Sequence, residues 1–291
     1  MILVTGATGL SGSAVIREFA RQAEPVRALV RNRAKARMFE TLSTVEVVEG
    51  DMLRPEVLGA ALEGVERVLM ISSAGEQLFE TQRTFIDASK KAGVRHIVKF
   101  SGAEAGIGFN PKHFRTTRLH EEIERYLERS GLAWTHLRPS QFMQFYFPSA
   151  PAMNLTPNAL SLPMGNARLS PVDVEDIAKI AFRLLRNGGH ESRSYNITGP
   201  ESLTMTEFAE RISQAAGKAI QYVDITLEEY RRAMLVAGAS PERVDAFVEL
   251  WSERRKYSKS KIDLSTHEAF GVQPTTFAEF ASRNAAVFRG E

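Results

Sequence analysis

The chain has 291 residues, with 37 Lys and Arg against 35 Asp and Glu for a formal charge of +2, and 43% of its positions are apolar. This is the profile of an ordinary globular protein long enough for a large α/β unit with an appendage, and its near neutrality argues against a nucleic-acid binder. The absence of cysteine excludes a disulfide framework, Cys-ligated zinc, iron–sulfur clusters and thiol catalysis. Apolar runs stay well short of about 18 residues, and Met1 to Thr5 lead into glycines without a charged leader, so neither a membrane span nor a secretion signal is expected and the cytoplasm is the expected location.

In chain order, short runs rich in β-branched residues predict strands at 2–5, 26–30, 45–49, 67–72, 96–101 and 134–137. Helix-period segments alternate with them, as at 13–22, where Val15, Ile16 and Phe19 share a face, and at 79–92 with Phe85, Ile86 and Ala88. Strand and helix in alternation predict an α/β fold, a Rossmann-type doubly wound parallel sheet covered by helices on both faces. Residues 140–163 carry Pro148, Pro151, Pro157 and Pro163 and read as loop or lid. A helix at 173–186 and a strand at 194–198 return to the sheet. Helix starts then follow at Thr204 with Glu207, Thr226 with Glu229, Ser240 before Pro241, and Thr276 with Glu279. The expected organisation is a dinucleotide-binding domain over 1–139 rejoined by 170–198, and a smaller, mostly helical substrate lobe from 140–169 and 199–291.

The segment Thr5-Gly6-Ala7-Thr8-Gly9-Leu10-Ser11-Gly12 carries the main chemical signal. Glycines in three-residue steps after a first strand allow a sharp turn, bring backbone N–H groups to a pyrophosphate and seat a helix N-terminus beneath it. Gly6, Thr8, Gly9, Leu10 and Gly12 are therefore cofactor-binding candidates. The second strand ends without the carboxylate that would hold the ribose of NAD. It runs instead into Val30-Arg31-Asn32-Arg33 with Lys35 beyond, so Arg31 is expected to pair with a 2′-phosphate and NADP is preferred to NAD. Asp51, with Met52 beside it, is placed either to accept from the adenine amino group or to cap the next turn. Ser72 and Ser73, ending the fourth strand, are expected to line the cofactor channel.

On these residues the sequence resembles the NmrA-like branch of the atypical short-chain dehydrogenase/reductases. The resemblance runs through Glu49-Gly50-Asp51, Ser130-Gly131-Leu132-Ala133-Trp134-Thr135, Leu137-Arg138-Pro139, Pro171-Val172-Asp173-Val174-Glu175-Asp176 and Tyr195-Asn196-Ile197-Thr198-Gly199-Pro200-Glu201, and ends near Pro274-Thr275-Thr276-Phe277. It implies a quinone reductase or a triphenylmethane dye reductase; other relatives are redox sensors that bind dinucleotide without turnover. The typical Tyr-x-x-x-Lys pair is missing, since its slots fall on Thr116 and His120. The literal Tyr257 to Lys261 match lies in the C-terminal lobe and is read as a decoy.

Without that pair, a ketone reductase is disfavoured. A quinone or cationic dye needs less acid–base help, so stacking against nicotinamide and exclusion of water can suffice. His120, with an ordinary pKa near 6.5, is a candidate proton donor or ribose ligand, set against a surface histidine. Ser101, at the carboxyl edge of the fifth strand, is the second catalytic candidate. Phe142, Met143, Phe145 and Tyr146 read as a wall for a flat substrate, with Phe109 and His113 on the other side. No metal and no flavin are expected, and Asp173 and Asp176 read as a helix start. The expected partner is a small aromatic substrate, with a homodimer as the candidate assembly and no nucleic acid or membrane. The expected activity is NADPH-dependent hydride transfer to a quinone-like or conjugated aromatic acceptor. The alternatives are a non-catalytic NAD(P)-sensing regulator or a tailoring oxidoreductase or oxygenase of aromatic natural products.

Overall fold

The computed structural model describes residues 1–102, 114–148, 158–256 and 260–291. Its strands are β1 (Ile2–Val4), β2 (Val26–Val30), β3 (Val45–Glu49), β4 (Arg67–Met70), β5 (His96–Phe100), β6 (Ala133–Pro139), β7 (Ala159–Leu162), β8 (Arg168–Leu169), β9 (Arg193–Ile197), β10 (Leu203–Thr204) and β11 (Gln221–Asp224). The helices are α1 (Leu10–Arg21), α2 (Leu58–Leu62), α3 (Leu78–Lys91), α4 (Arg115–Arg129), α5 (Val174–Asn187), α6 (Met205–Ala216), α7 (Leu227–Val236), α8 (Pro241–Arg254), α9 (Ser265–Ala269), α10 (Phe277–Arg283) and α11 (Ala285–Arg289).

Seven strands form one parallel sheet in the order β3-β2-β1-β4-β5-β6-β9. Because successive side chains of a strand point to opposite faces, Leu3, Val68 and Ile97 pack beneath α2, α3 and α4. Val4, Leu69 and Val98 pack beneath α1 and α5. The outer layer is tied by Phe19 of α1 edge-on to Phe182 of α5, with centroids 4.9 Å apart. The expected Rossmann-type architecture is present, and α5 and β9 rejoin it after the chain has left for the second lobe.

The smaller lobe has its own core, with Phe208, Tyr230, Trp251, Phe277 and Phe280 at its centre. The capping boxes at Thr204, Thr226 and Thr276 all form, and Ser240 caps α8. Two features depart from the expectation of a helical lobe preceded by loop. Residues 140–163 contain a 3-10 helix at Met143–Tyr146 and strand β7, and β7 pairs in parallel with β11. Strand β8 pairs antiparallel with β10. These strands have two to four residues, too short for a readable alternation.

Candidate active site

β2 and β3 lie on one side of β1 and all later sheet strands on the other, so the topological switch point falls between β1 and β4, where open α/β sheets bind ligands at their carboxyl ends. Thr5 bridges this gap. Its hydroxyl donates to the Ile71 carbonyl at 2.6 Å and accepts from the Ile71 amide at 2.8 Å. The chain then turns at Gly6 with φ +59°, and a Cβ there would stand 2.9 Å from the Ile71 oxygen. A Cβ on Gly12 would lie 2.3 Å from the Gly6 oxygen. The turn therefore closes only over bare backbone. Gly9 caps α1 with no side-chain bond and no acid stands in the first turn, which leaves the N–H groups of Leu10, Ser11 and Gly12 without intrahelical acceptors and facing a position of positive potential. Such a cradle fits a pyrophosphate. Thr8 and Leu10 lie at its mouth, half-buried and exposed respectively.

At the end of β2, Asn32 caps a 3-10 helix at Arg33–Phe39 by accepting from the Ala34 amide at 2.8 Å. Arg33 turns back to β3, its amide donating to Glu49 and its guanidinium to the Val47 carbonyl, both at 3.2 Å. Arg31 is exposed and has no bond to a described residue, so of the two arginines it is the one left available to an anion. Asp51 already accepts from the Leu53 amide at 3.0 Å, which realises its turn-capping reading on one oxygen. Met52 beside it is buried. Ser72 accepts from the buried Gln82 amide at 2.9 Å, and Ser73 is exposed.

His120 departs most from expectation. It is not a surface histidine; it is 6% exposed on the sheet-facing side of α4. Burial, reinforced by the adjacent Lys99 cation, holds its pKa well below the usual imidazole range, so the ring is neutral and the expectation of a freely titrating donor is corrected. Lys99 of β5 is completely buried, and its Nζ lies 2.9 Å from His120 Nδ1 and 3.4 Å from Ser101 Oγ. Desolvation pulls the Lys99 pKa down to about 7, against attraction from Glu124, with Arg138 adding to the lowering. Ser101 also bonds Glu124, one turn beyond His120 on α4. Glu124 is buried, yet Arg138 of β6 binds both its oxygens at 3.0 and 2.6 Å. Burial alone would raise the Glu124 pKa, but Arg138, His136, Ser101 and Lys99 together lower it.

Lys99, Glu124 and Arg138 were not singled out as site residues. A signal for Lys99 was present, because a lysine inside His96-Ile97-Val98-Lys99-Phe100 interrupts the apolar run of a central parallel strand. Gly102 belongs with them: a Cβ there would stand 2.5 Å from His120 Cδ2 and Nε2. Thr116, in the other slot of the missing pair, is only half-buried.

The expected substrate wall divides. Met143 and Tyr146 are 1% and 3% exposed within the small-lobe core, with Tyr146 stacked on Phe208 at 4.4 Å, so their expected place on a substrate wall is corrected to packing. The 3-10 turn causes this by pointing residues three apart to one side. Phe142 and Phe145, also three apart, stack at 5.8 Å and remain half-buried, and Phe142 meets Phe100 edge-on at 6.1 Å. Phe109, His113 and Tyr257 lie outside the described residues. Asp173 caps α5 by accepting from the Glu175 amide at 3.0 Å, and Asp176 accepts from Thr275, as a structural helix start requires. Among the described residues no three His, Asp or Glu side chains converge on a metal position, and no helix is long and apolar enough to cross a membrane.

A doubly wound sheet with a bare-backbone cradle at its switch point and a lobe over its carboxyl edge defines a Rossmann-type dinucleotide-binding protein. The chain matches the model of the NmrA-like family over residues 1–281 and belongs to that family. It is 36% identical over 290 residues, 99% of each chain, to the NAD(P)H azoreductase of Xenophilus azovorans. Its fold superposes with a TM-score of 0.83 on Citrobacter sp. triphenylmethane reductase complexed with NADP(H), at 25% identity over 98% of this chain and all of the other. The same score relates it to the Escherichia coli NADPH-dependent quinone oxidoreductase complexed with NADPH, at 29% identity over 97% of this chain and 99% of the other.

Proposed function

We propose that this protein reduces quinone-like or other conjugated aromatic acceptors, azo and cationic dyes among them, by hydride passed directly from NADPH without flavin. The chain is an NAD(P)H-dependent oxidoreductase; the reading concerns its acceptor, its cofactor preference and the route of the hydride. The observation that carries it is one carboxyl edge of the sheet bordered by both a dinucleotide cradle and a stacked phenylalanine pair, with a neutral His120 in one slot of the missing Tyr-x-x-x-Lys pair and Lys99 against its ring.

Gly6, Gly9 and Gly12 with the first-turn amides of α1 would hold the pyrophosphate, and Arg31 the 2′-phosphate. The free oxygen of Asp51 would accept from adenine, and Ser72 and Ser73 would line the channel. Once bound, the dinucleotide supplies the hydride. Phe142 and Phe145 present flat apolar area at low conformational cost, so they would orient a planar acceptor and exclude water from it. Ser101 and His120 would face the reacting end.

The test is a fluorescence titration with NADPH and NADH, followed by NADPH oxidation with a panel of benzoquinones, azo dyes and triarylmethyl dyes, in protein freed of any bound flavin. Protein-dependent oxidation without added flavin is the expected result. Tight NADPH binding with no oxidation across the panel would replace this reading with that of a dinucleotide sensor.

A further inference from the structure

A neutral imidazole gives up a proton readily only when its other nitrogen is resupplied. His120 is placed for that. Its Nδ1 faces Lys99 Nζ at 2.9 Å, and a charged lysine can only donate, so Nδ1 accepts and the ring carries its own proton on Nε2. Nε2 points past Gly102, close enough that only a glycine fits beneath it, and it bonds no described residue. Lys99 shares the sheet face of Ile97 below α4, sealed from solvent. The charged and titratable groups around it are His120 and Glu124 on α4 and His136 and Arg138 on β6. Glu124 is committed to Arg138 through two bonds and His136 to Glu128 at 3.0 Å, which leaves His120 as the proton acceptor in direct contact with Lys99.

We propose that Lys99 is the proton reservoir behind His120, so that reduction of a quinone is completed by a two-step relay through the imidazole. This rests on the reductase reading above. Hydride addition to a quinone leaves an anionic oxygen. The Nε2–H bond breaks as an O–H bond forms on that oxygen, while an N–H bond of the Lys99 ammonium breaks as Nδ1 takes its proton. Acceptor anion, neutral imidazole and ammonium become hydroquinone, neutral imidazole of the other tautomer and neutral amine. After product release a proton from bulk solvent binds Nε2 as the Nδ1 proton returns to the amine, which restores the Nε2–H imidazole and the lysine ammonium. No imidazolium forms, which suits a ring held far below its usual pKa, and a lysine at about 7 is half loaded at neutral pH. Lys99 thus acts through His120 as a positioning and supply residue.

The acceptor provides the test, because a triarylmethyl cation that takes hydride becomes a neutral product and needs no proton, whereas a quinone needs one. Wild type, Lys99→Met and Lys99→Arg are compared with NADPH and both acceptors between pH 5.5 and 9. Arginine keeps a charged donor toward Nδ1 but does not release its proton. In the wild type the quinone-to-dye rate ratio should fall about tenfold per pH unit above 7. Both variants should lower that ratio at least tenfold at pH 6.5 and lose the limb near 7. Independently of turnover, imidazole 15N shifts of His120 should report the Nε2–H tautomer in wild type at pH 6 and a mixture in Lys99→Met. Equal losses for both acceptors, a retained limb, or an unchanged tautomer in Lys99→Met would each overturn the proposal. A wild type that binds NADPH but oxidises it with neither acceptor would overturn the reductase reading itself, and the relay with it.

Discussion

Arg31 and Arg33 are neighbours of the same charge, and the bonds they make separate their roles. Arg33 spends its amide on Glu49 and its guanidinium on the Val47 carbonyl, so it pins the 3-10 helix to β3. Arg31 stands exposed at the strand end with its donors available. A charge-assisted bond to a phosphate contributes about 1.5–3 kcal/mol. Arg31→Ala should therefore weaken NADPH by roughly tenfold to a hundredfold while leaving NADH within about threefold, as read by nicotinamide fluorescence. Equal losses for both nucleotides would move the 2′-phosphate elsewhere. That cation was legible in the sequence because a strand end has a fixed place in the fold. Lys99 was harder to read for function: the sequence shows a polar interruption of β5, but only the approach of α4 shows what it touches. His120 was found by its slot, and its burial was missed although Ile123 and Leu127, three and seven residues on, put it on the face of α4 that packs against the sheet.

At the scale of single elements, the β1 to α1 turn is the part that both sequence and structure describe alike, because its constraint is steric and local. A Cβ on Gly12 would meet the Gly6 oxygen at 2.3 Å, one on Gly6 the Ile71 oxygen at 2.9 Å, and one on Gly9 the Gly6 oxygen at a tight 3.2 Å. Gly12→Ala would place a methyl 2.3 Å from the Gly6 oxygen, so the turn must open and the cradle with it. NADPH affinity should fall by more than about tenfold, with a stability loss on the order of 1–3 kcal/mol from overpacking. Gly59→Ala is the contrast, since that glycine lies within α2 with nothing within 4 Å of its would-be Cβ. It should gain about 0.5–1 kcal/mol in urea denaturation and keep its cofactor affinity. An unchanged NADPH affinity in Gly12→Ala would show that the turn has slack. The aromatic segment behaved differently. Its composition identified it, but the 3-10 turn decided which rings are sealed in the small-lobe core and which stay half-buried, and a run of Phe, Met, Gln, Phe and Tyr has no period that distinguishes a 3-10 turn from an extended wall.

Across the whole molecule, the two cores meet along a polar seam centred on Asp173. This carboxylate has no exposed surface, caps α5 in the sheet layer and accepts from Gln144 in the 3-10 turn at 2.7 Å and from Arg283 of α10 in the small lobe. Gln144 returns the contact by accepting from the Val174 amide at 3.2 Å. One buried anion thus holds a helix start, the segment that presents Phe142 and Phe145, and the last helices of the chain. Breaking a buried ion pair from one side costs about 3–5 kcal/mol, and loss of an N-cap about 1. The Arg283 side chain is 46% exposed and can turn to water, which reduces the first of these. Asp173→Ala should accordingly lose about 2–4 kcal/mol in urea denaturation, whereas Arg283→Met, which leaves Asp173 its amide and Gln144 partners, should lose about 1. Because the same carboxylate fixes the turn bearing the phenylalanine pair, Asp173→Ala should also raise KM for a planar acceptor more than Kd for NADPH, whose cradle lies at the end of β1, three strands away from β6. A stability loss below about 1 kcal/mol would mean that this carboxylate contributes little to joining the lobes. Equal effects on acceptor and nucleotide would mean that the seam supports the whole carboxyl edge of the sheet rather than the substrate side.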